Sequence, residues 1–209
     1  NKKIKEYEFK IKWCEQTTTD DSEGKVIARS LKIPSPLEIN NQILKLKGSI
    51  LQKPPLASAI KINGKKAYQL LRAKKNFHIK ERLVYLDDVK VISSQKQTTK
   101  FFIRCGKGFY IRSFARDLGD KLATKAHISS LKRIKVGKFE ANNANLLDDL
   151  LNIRQTLFEF KGFHSSSCML DDILAYEIDD EKDIISISRG KSIKLNLKKL
   201  INPPLNLTD

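Results

Sequence analysis

Residues 105 to 119 read CGKGFYIRSFARDLG, with Tyr110 and Arg112 placed two residues apart at the exit of a turn in which two glycines flank Lys107. A glycine turn lets backbone approach a ligand closely. A guanidinium at the start of a helix can clamp a carboxylate or a phosphate with two hydrogen bonds. Taken alone, the stretch favours a structural ion pair for Arg112 with a nearby Asp or Glu. Core packing is the plain reading of Tyr110, and of Tyr7 at the start of its own strand. Other chemistries have less support. Cys14, Cys105 and Cys168 are scattered without a CxxC pair, and His78, His127 and His164 stand apart. This argues against a zinc site and a disulfide framework. There is no GxxxxGK[ST] or GxGxxG loop, so a bound nucleotide cofactor is not expected.

The elements that must position these residues follow from patterning. In YEFKIKW (7–13), Tyr7, Phe9, Ile11 and Trp13 alternate with polar residues, which predicts a half-buried strand. EQTTTDDSEG (15–24) is polar and reads as a loop. Ile39, Ile43 and Leu46 fall at helical spacing in a helix expected over 37–50. VYLDDVKVI (84–92) and TTKFFIRC (98–105) read as strands. After the glycine turn, Ile111, Phe114, Ala115, Leu118 and Leu122 form the apolar stripe of a helix. A cation-rich strand is expected over 129–139, then a helix with Leu146, Leu150, Ile153 and Leu157. Residues 161–168 read as a linker before a small, mostly β appendage. Strands and helices mix without strict βαβ order, which favours an α+β fold with a largely antiparallel sheet.

Composition narrows the partner. The 209 residues are 40% hydrophobic, which suffices for a core, and carry a net charge of +16. A chain this basic suits a polyanion. No apolar run is long enough to span a bilayer, and NKKIKEYEFK lacks the apolar core of a signal peptide. Nucleic acid is therefore favoured over a membrane, in a reducing cytoplasm. Charge concentrates in residues 52–82, where nine Lys or Arg face a single acid, Glu81. This segment opens on Pro54-Pro55, turns at Asn63-Gly64 and continues as a short helix, AYQLLRAKK. Such an excursion can grip a phosphate backbone as well as form an ordinary solvated face.

Four segments, in order, resemble the bacterial tRNA pseudouridine-55 synthases of the TruB family. They are KEYEFKIKW with EQTTTDDSEG, KPPLASAIKINGKKAYQLLRAKK, CGKGFYIRSFARDLGDKL and AHISSLKRIKVGKF. The resemblance implies the pseudouridine synthase fold over residues 1–160, with 52–82 as an RNA-gripping insertion. It also implies a small RNA-binding-like domain over 165–209. The activity implied is isomerisation of uridine 55 in the tRNA T-loop to pseudouridine, without cofactor or metal, by a monomer that binds the T-arm. A base in a folded loop must first be flipped out. By resemblance, Tyr7 stacks on that base and is proposed to share in proton removal, and Arg112 pairs with the catalytic aspartate. Tyr110 shapes the pocket, Leu131 covers the uracil, and Asp21 matches the aspartate of the polar loop. Lys61, Lys65, Lys66, Tyr68 and Arg72 of the insertion, with Lys107 and Arg133, are the expected RNA contacts. A carboxylate beside Arg112 would stay ionised at neutral pH.

The family's nucleophile lies in a Leu-Asp-Pro segment ahead of the Tyr7 strand, and no Leu-Asp-Pro occurs in these residues. Asp20, Asp21 and Asp117 occupy other positions. The chain is thus expected to be an N-terminally truncated synthase, inactive as it stands. Thr18, Cys14 and Ala57 are smaller departures in the loop and insertion. The competing expectation is a non-catalytic basic RNA-binding protein. A guide-RNA-dependent relative is disfavoured, because 52–82 resembles the stand-alone enzymes.

Overall fold

The computed structural model describes residues 4–148, 175–176, 178–195 and 200–201. Contacts divide the chain into two units, Lys2–Asn143 and Ala144–Asp209 together with Asn1. The first unit holds strands β1 (Lys5–Trp13), β2 (Glu15–Thr17) and β3 (Val26–Arg29), helix α1 (Pro36–Leu44), and β4 (Gly48–Gln52). It continues through β5 (Lys61–Ile62), β6 (Lys65–Lys66), α2 (Ala67–Arg72), β7 (Arg82–Gln95) and β8 (Thr98–Cys105). Helix α3 (Ile111–Lys121), β9 (Ala126–Val136) and β10 (Phe139–Glu140) complete it.

Six of these strands form one sheet, in the order β10-β9-β1-β8-β7-β4, and every pairing is antiparallel. The alternation expected over residues 7–13 gives β1, which pairs with β8 and β9, one buried face. Tyr7, Phe9, Ile11 and Trp13 are all buried. Helix α3 lays its apolar stripe on the sheet, with Ile111, Phe114, Ala115 and Leu118 buried. Phe9 and Phe101 stack at 5.3 Å, and Phe114 meets both edge-on at 6.0 and 6.4 Å. Such edge-on aromatic pairs add to the plain burial of the rings. The fold is α+β with a largely antiparallel sheet, as the sequence predicts.

Several boundaries differ from expectation, each for a local reason. The helix expected over 37–50 ends at Leu44, and Gly48, at φ +98°, turns the chain into β4. The strand expected over 129–139 starts earlier, at Ala126, and breaks at Gly137, which has φ +55°. The polar stretch 15–24 is not wholly loop, because Glu15–Thr17 pairs with Val26–Arg29 as a hairpin. Polar side chains do not prevent backbone pairing between strands outside the core. Asn63 and Gly64 form the expected two-residue hairpin turn, both at positive φ, between β5 and β6.

In the second unit, the described residues include short strands β11 (Ala175–Tyr176) and β12 (Leu200–Ile201), which pair antiparallel. Between them lies helix α4 (Glu181–Ser188), which the expectation of a mostly β appendage did not include. Leu150, Ile153 and Leu157 of the expected helix and the expected linker 161–168 lie outside the described residues.

Candidate active site

The glycine turn and the first turn of α3 place Tyr110 and Arg112. Gly108 has φ +83°, a backbone state glycine reaches without penalty, and it sends the chain from β8 into the helix. Tyr110 is the N-cap of α3, and its backbone is held from a distance. Gln52, at the end of β4 and 1% exposed, donates from Nε2 to the Tyr110 carbonyl at 3.1 Å. Its Oε1 accepts from the Tyr110 N–H at 2.8 Å. Sequence reasoning missed Gln52, because nothing local marks a partner 58 residues away.

Arg112 then points into a junction of two loops. Its Nη1 donates to Asp21 Oδ2 at 3.0 Å and to the Thr19 carbonyl at 3.1 Å, and Nη2 donates to the Ala57 carbonyl at 2.9 Å. An arginine has five N–H donors, so Nε–H and one further N–H stay available to a second acceptor, among the described residues. Asp21 is itself well held. Its Oδ1 accepts from Thr19 Oγ1 and from the Glu23 N–H. The loop is tight: a side chain at Gly24 would put its Cβ 2.4 Å from Thr19 Oγ1 and 2.7 Å from the Thr19 nitrogen.

Three adjoining clefts open around Arg112. One, of about 350 Å³, is lined by Lys5, Tyr7, Tyr110, Arg112, Leu131 and Arg133, among others. A second, of about 260 Å³, shares Asp21, Arg112 and Leu131. The third, of about 510 Å³, runs from Asp21, Tyr110 and Arg112 to Tyr68 and Arg72 of the basic insertion. Ser58 lines that third cleft, and its buried hydroxyl has no hydrogen-bond partner among the described residues. The residues singled out from the sequence thus fall into two groups. Tyr7, Asp21, Tyr110, Arg112, Leu131 and Arg133 meet at the clefts. Lys61, Lys65 and Lys66 are exposed on the β5–β6 hairpin, while Tyr68 lies between Lys66 at 5.7 Å and Arg72 at 5.5 Å from its ring. Lys107 is exposed in the glycine turn and does not line these clefts.

Electrostatics distinguish the groups further. Tyr7 is 7% exposed, and burial raises its pKa, so it is a neutral phenol at neutral pH. Arg133, whose guanidinium lies 5.4 Å over the Tyr7 ring, opposes that shift. Cys105 is buried deeply enough to push its thiol up to about 12, which leaves no thiolate to act as a nucleophile. Burial raises the carboxyls of Asp20 and Asp117, with Arg116 acting against the shift in both. His127 is buried, and its Nδ1 lies 2.9 Å from the Glu15 carbonyl. Among the described residues, no group of three or more His, Cys, Asp or Glu could hold a metal ion, and no helix is long and apolar enough to cross a membrane.

Comparison with known proteins gives this arrangement a family. A family model described as TruB family pseudouridylate synthase (N terminal domain) matches residues 1–111. A second, tRNA pseudouridylate synthase B C-terminal domain, matches residues 112–203. The chain is 36% identical over 197 residues to tRNA pseudouridine synthase B of Ehrlichia ruminantium (strain Gardel), covering 92% of this chain and 66% of that protein. The protein of the same name from Bartonella henselae is 43% identical over 147 residues, covering 70% of this chain and 46% of its own length. The chain therefore spans about two thirds or less of these relatives. In fold it is similar to a chain in a crystal structure of a Cbf5–Nop10–Gar1 complex, with a TM-score of 0.51 and 23% identity over 71% of this chain and 35% of that one. With both family models matched end to end across the sheet, the loops and α3, the chain belongs to the TruB family of pseudouridylate synthases.

Proposed function

We propose that this chain is the larger part of a tRNA pseudouridine synthase that converts uridine 55 of the T-loop to pseudouridine. The observation that carries the reading is the convergence of Tyr7, Tyr110, Arg112 and Leu131 on one cleft of about 350 Å³. That cleft adjoins a second one reaching the basic insertion. A flipped uracil needs a flat surface to stack on, an apolar cover and a cation near the reacting carboxylate. In this reading Tyr7 supplies the stacking face and Leu131 the cover. Arg112 offers its remaining N–H donors to a nucleophilic aspartate, keeping that group ionised. Burial keeps Tyr7 a neutral phenol in this state, so its part in this reading is to stack on the base, and its share in proton removal rests on the resemblance alone.

The nucleophile is proposed to come from outside these 209 residues, since they contain no Leu-Asp-Pro and Asp21 is already engaged by Arg112. The 209 residues alone are expected to bind the T-arm without turning it over. The whole protein is proposed to act as a cytoplasmic monomer with neither cofactor nor metal, and a chelator should leave its turnover unchanged.

A second reading, a non-catalytic RNA binder, draws on the three hydrogen bonds that Arg112 makes inside the chain. One experiment separates the two. Tritium release from tRNA labelled at uridine C5 is measured for the full-length protein and its Arg112→Met variant. The enzyme reading expects release by the unmodified protein. It also expects loss of release in the variant, with tRNA affinity kept within about threefold, because phosphate contacts dominate binding. Binding without release in the unmodified protein would favour the binder. Equal loss of release and affinity in the variant would make Arg112 a structural or phosphate-binding residue.

A further inference from the structure

Helix α3 carries a second arginine one turn after Arg112. Arg116 Nη1 donates to Asp20 Oδ2 at 3.0 Å, Nε to Asp117 Oδ1 at 2.9 Å, and Nη2 to the Lys53 carbonyl at 2.7 Å. The Lys53 carbonyl also accepts from Ser113 Oγ at 2.7 Å. This is no surface pair: the side chains of Arg116 and Asp20 are 16% and 9% exposed. The two arginines thus hold the same two segments. Arg112 reaches Thr19, Asp21 and Ala57, while Arg116 reaches Asp20 and Lys53.

Asp20 sits at φ +60°, a left-handed state that Asp adopts more readily than most L-residues. Its carbonyl accepts from the Ile128 N–H at 3.0 Å, which fixes one side of the loop to β9. Arg116 fixes the other side. Without Arg116, the buried Asp20 carboxylate would lose its ion-pair partner and would take up a proton or turn toward water, and in either case its ionic hold between the loop and α3 is gone. Asp21 is the next residue, so it would move with Asp20 and release Nη1 of Arg112. The Lys53 carbonyl, at the root of the basic insertion, would lose one of its two donors at the same time.

We infer that Arg116 is a positioning residue for Arg112: by holding Asp20 and the Lys53 carbonyl, it sets the spacing between the acidic loop and the root of the insertion within which Arg112 is aimed. The inference rests on reading the cleft as a synthase active site. A misplacement of about 1 Å far from the reacting atoms can cost on the order of a hundredfold in rate, so the effect belongs in the chemical step and not in RNA affinity.

The test compares full-length protein with its Arg116→Met, Arg116→Lys and Asp20→Asn variants. It measures the single-turnover rate of tritium release, the Kd for tRNA and the melting temperature. The expected result is a rate at least about tenfold lower in Arg116→Met and Asp20→Asn, with Kd within about threefold. Arg116→Lys, which keeps the charge but cannot reach all three acceptors, should fall between. If Arg116→Met does not fold, Asp20→Asn decides on the same readouts, since it keeps the side chain's shape. Rates equal to the unmodified protein would overturn the inference. So would a loss of rate matched by an equal loss of affinity, or one explained by the unfolded fraction. An unmodified protein that binds tRNA but releases no tritium would instead sink the synthase reading itself.

Discussion

At the scale of single residues, the site depends on atoms that hold backbone as much as on atoms that would touch substrate. Gln52 is the clearest case. Its amide pairs with both the N–H and the carbonyl of Tyr110, as a strand neighbour would. The carbonyl has a second partner in the Phe114 N–H at 3.0 Å, but no other partner for the Tyr110 N–H is found among the described residues. Gln52→Met keeps the length of the side chain and removes both polar atoms. It should lower the unfolding free energy by about 1–3 kcal/mol, the usual cost of orphaning a buried donor. Denaturant titration would report it, and a change under about 0.5 kcal/mol would mean that water replaces the amide. Legibility at this scale was uneven, for a physical reason. Tyr110 and Arg112 drew attention through their spacing after the glycine turn, but their place in the site, and that of Tyr7, came only from the resemblance to the family. Gln52, Asp20 and Arg116 could not be picked out, because their partners are 58 and 96 residues away and no periodicity records such a separation.

At the scale of elements, local signals and tertiary outcomes agree where one face of the element is buried. The alternation of β1 and the stripe of α3 were both readable, since each buries one face against the other. Boundaries set by backbone geometry, such as the end of α1 ahead of Gly48, were less so. The start of α1 is strongly determined. Ser35 caps it, with the Glu38 N–H donating to Ser35 Oγ and the Ser35 N–H donating to Glu38 Oε2 at 2.8 Å. Lys32 Nζ lies 2.8 Å from the other Glu38 oxygen. Lys32 first, then the Ser35 backbone and hydroxyl, lower the Glu38 carboxyl from 4.5 to about 2. A lowered folded pKa gives stability that is present above the unfolded value and lost as pH falls through the folded one. The Glu38 contribution should therefore fade between about pH 4.5 and 2. Asp20 and Asp117 act with the opposite sign. Burial raises their pKa values, so their charged forms weaken the fold as pH rises through those values, and acid relieves this. Glu38→Gln keeps a side chain able to complete the capping box but cannot titrate. Its stability relative to the unmodified protein should rise as pH is lowered from 5 toward 2, read from melting temperatures. Parallel pH profiles for the two proteins would show that the Glu38 charge adds nothing to its hydrogen bonds.

At the scale of the whole molecule, the net charge of +16 matters mainly through where cations stand unpaired. Many lysines are neutralised within the fold: Lys12 by Glu15, Lys47 by Asp88 and Lys100 by Glu8. Lys61, Lys65 and Lys66 are exposed on the β5–β6 hairpin and make no ion pair among the described residues. A tight Asn63-Gly64 turn sets Lys61 directly opposite Lys66 in the register, with Lys65 next along the strand opposite Ile62. Like charges this close repel, and a hairpin of two residue pairs has little burial to offset that. The arrangement is stabilised when a polyanion supplies the missing charge, which is what a phosphate backbone does. Each lysine that neutralises a phosphate displaces a counterion, and the salt slope of binding grows by about 0.7–0.9 per contact. Replacing all three with alanine should therefore flatten the plot of log K against log salt by about 2 and weaken tRNA binding most at low salt. The rate of tritium release at saturating tRNA should stay within about twofold, because none of the three lines the clefts around Arg112. An unchanged slope would place the phosphate contacts elsewhere on the molecule. A large loss of rate at saturation would mean that the hairpin acts on the chemistry, and the separation between a gripping surface and a reacting cleft would have to be abandoned.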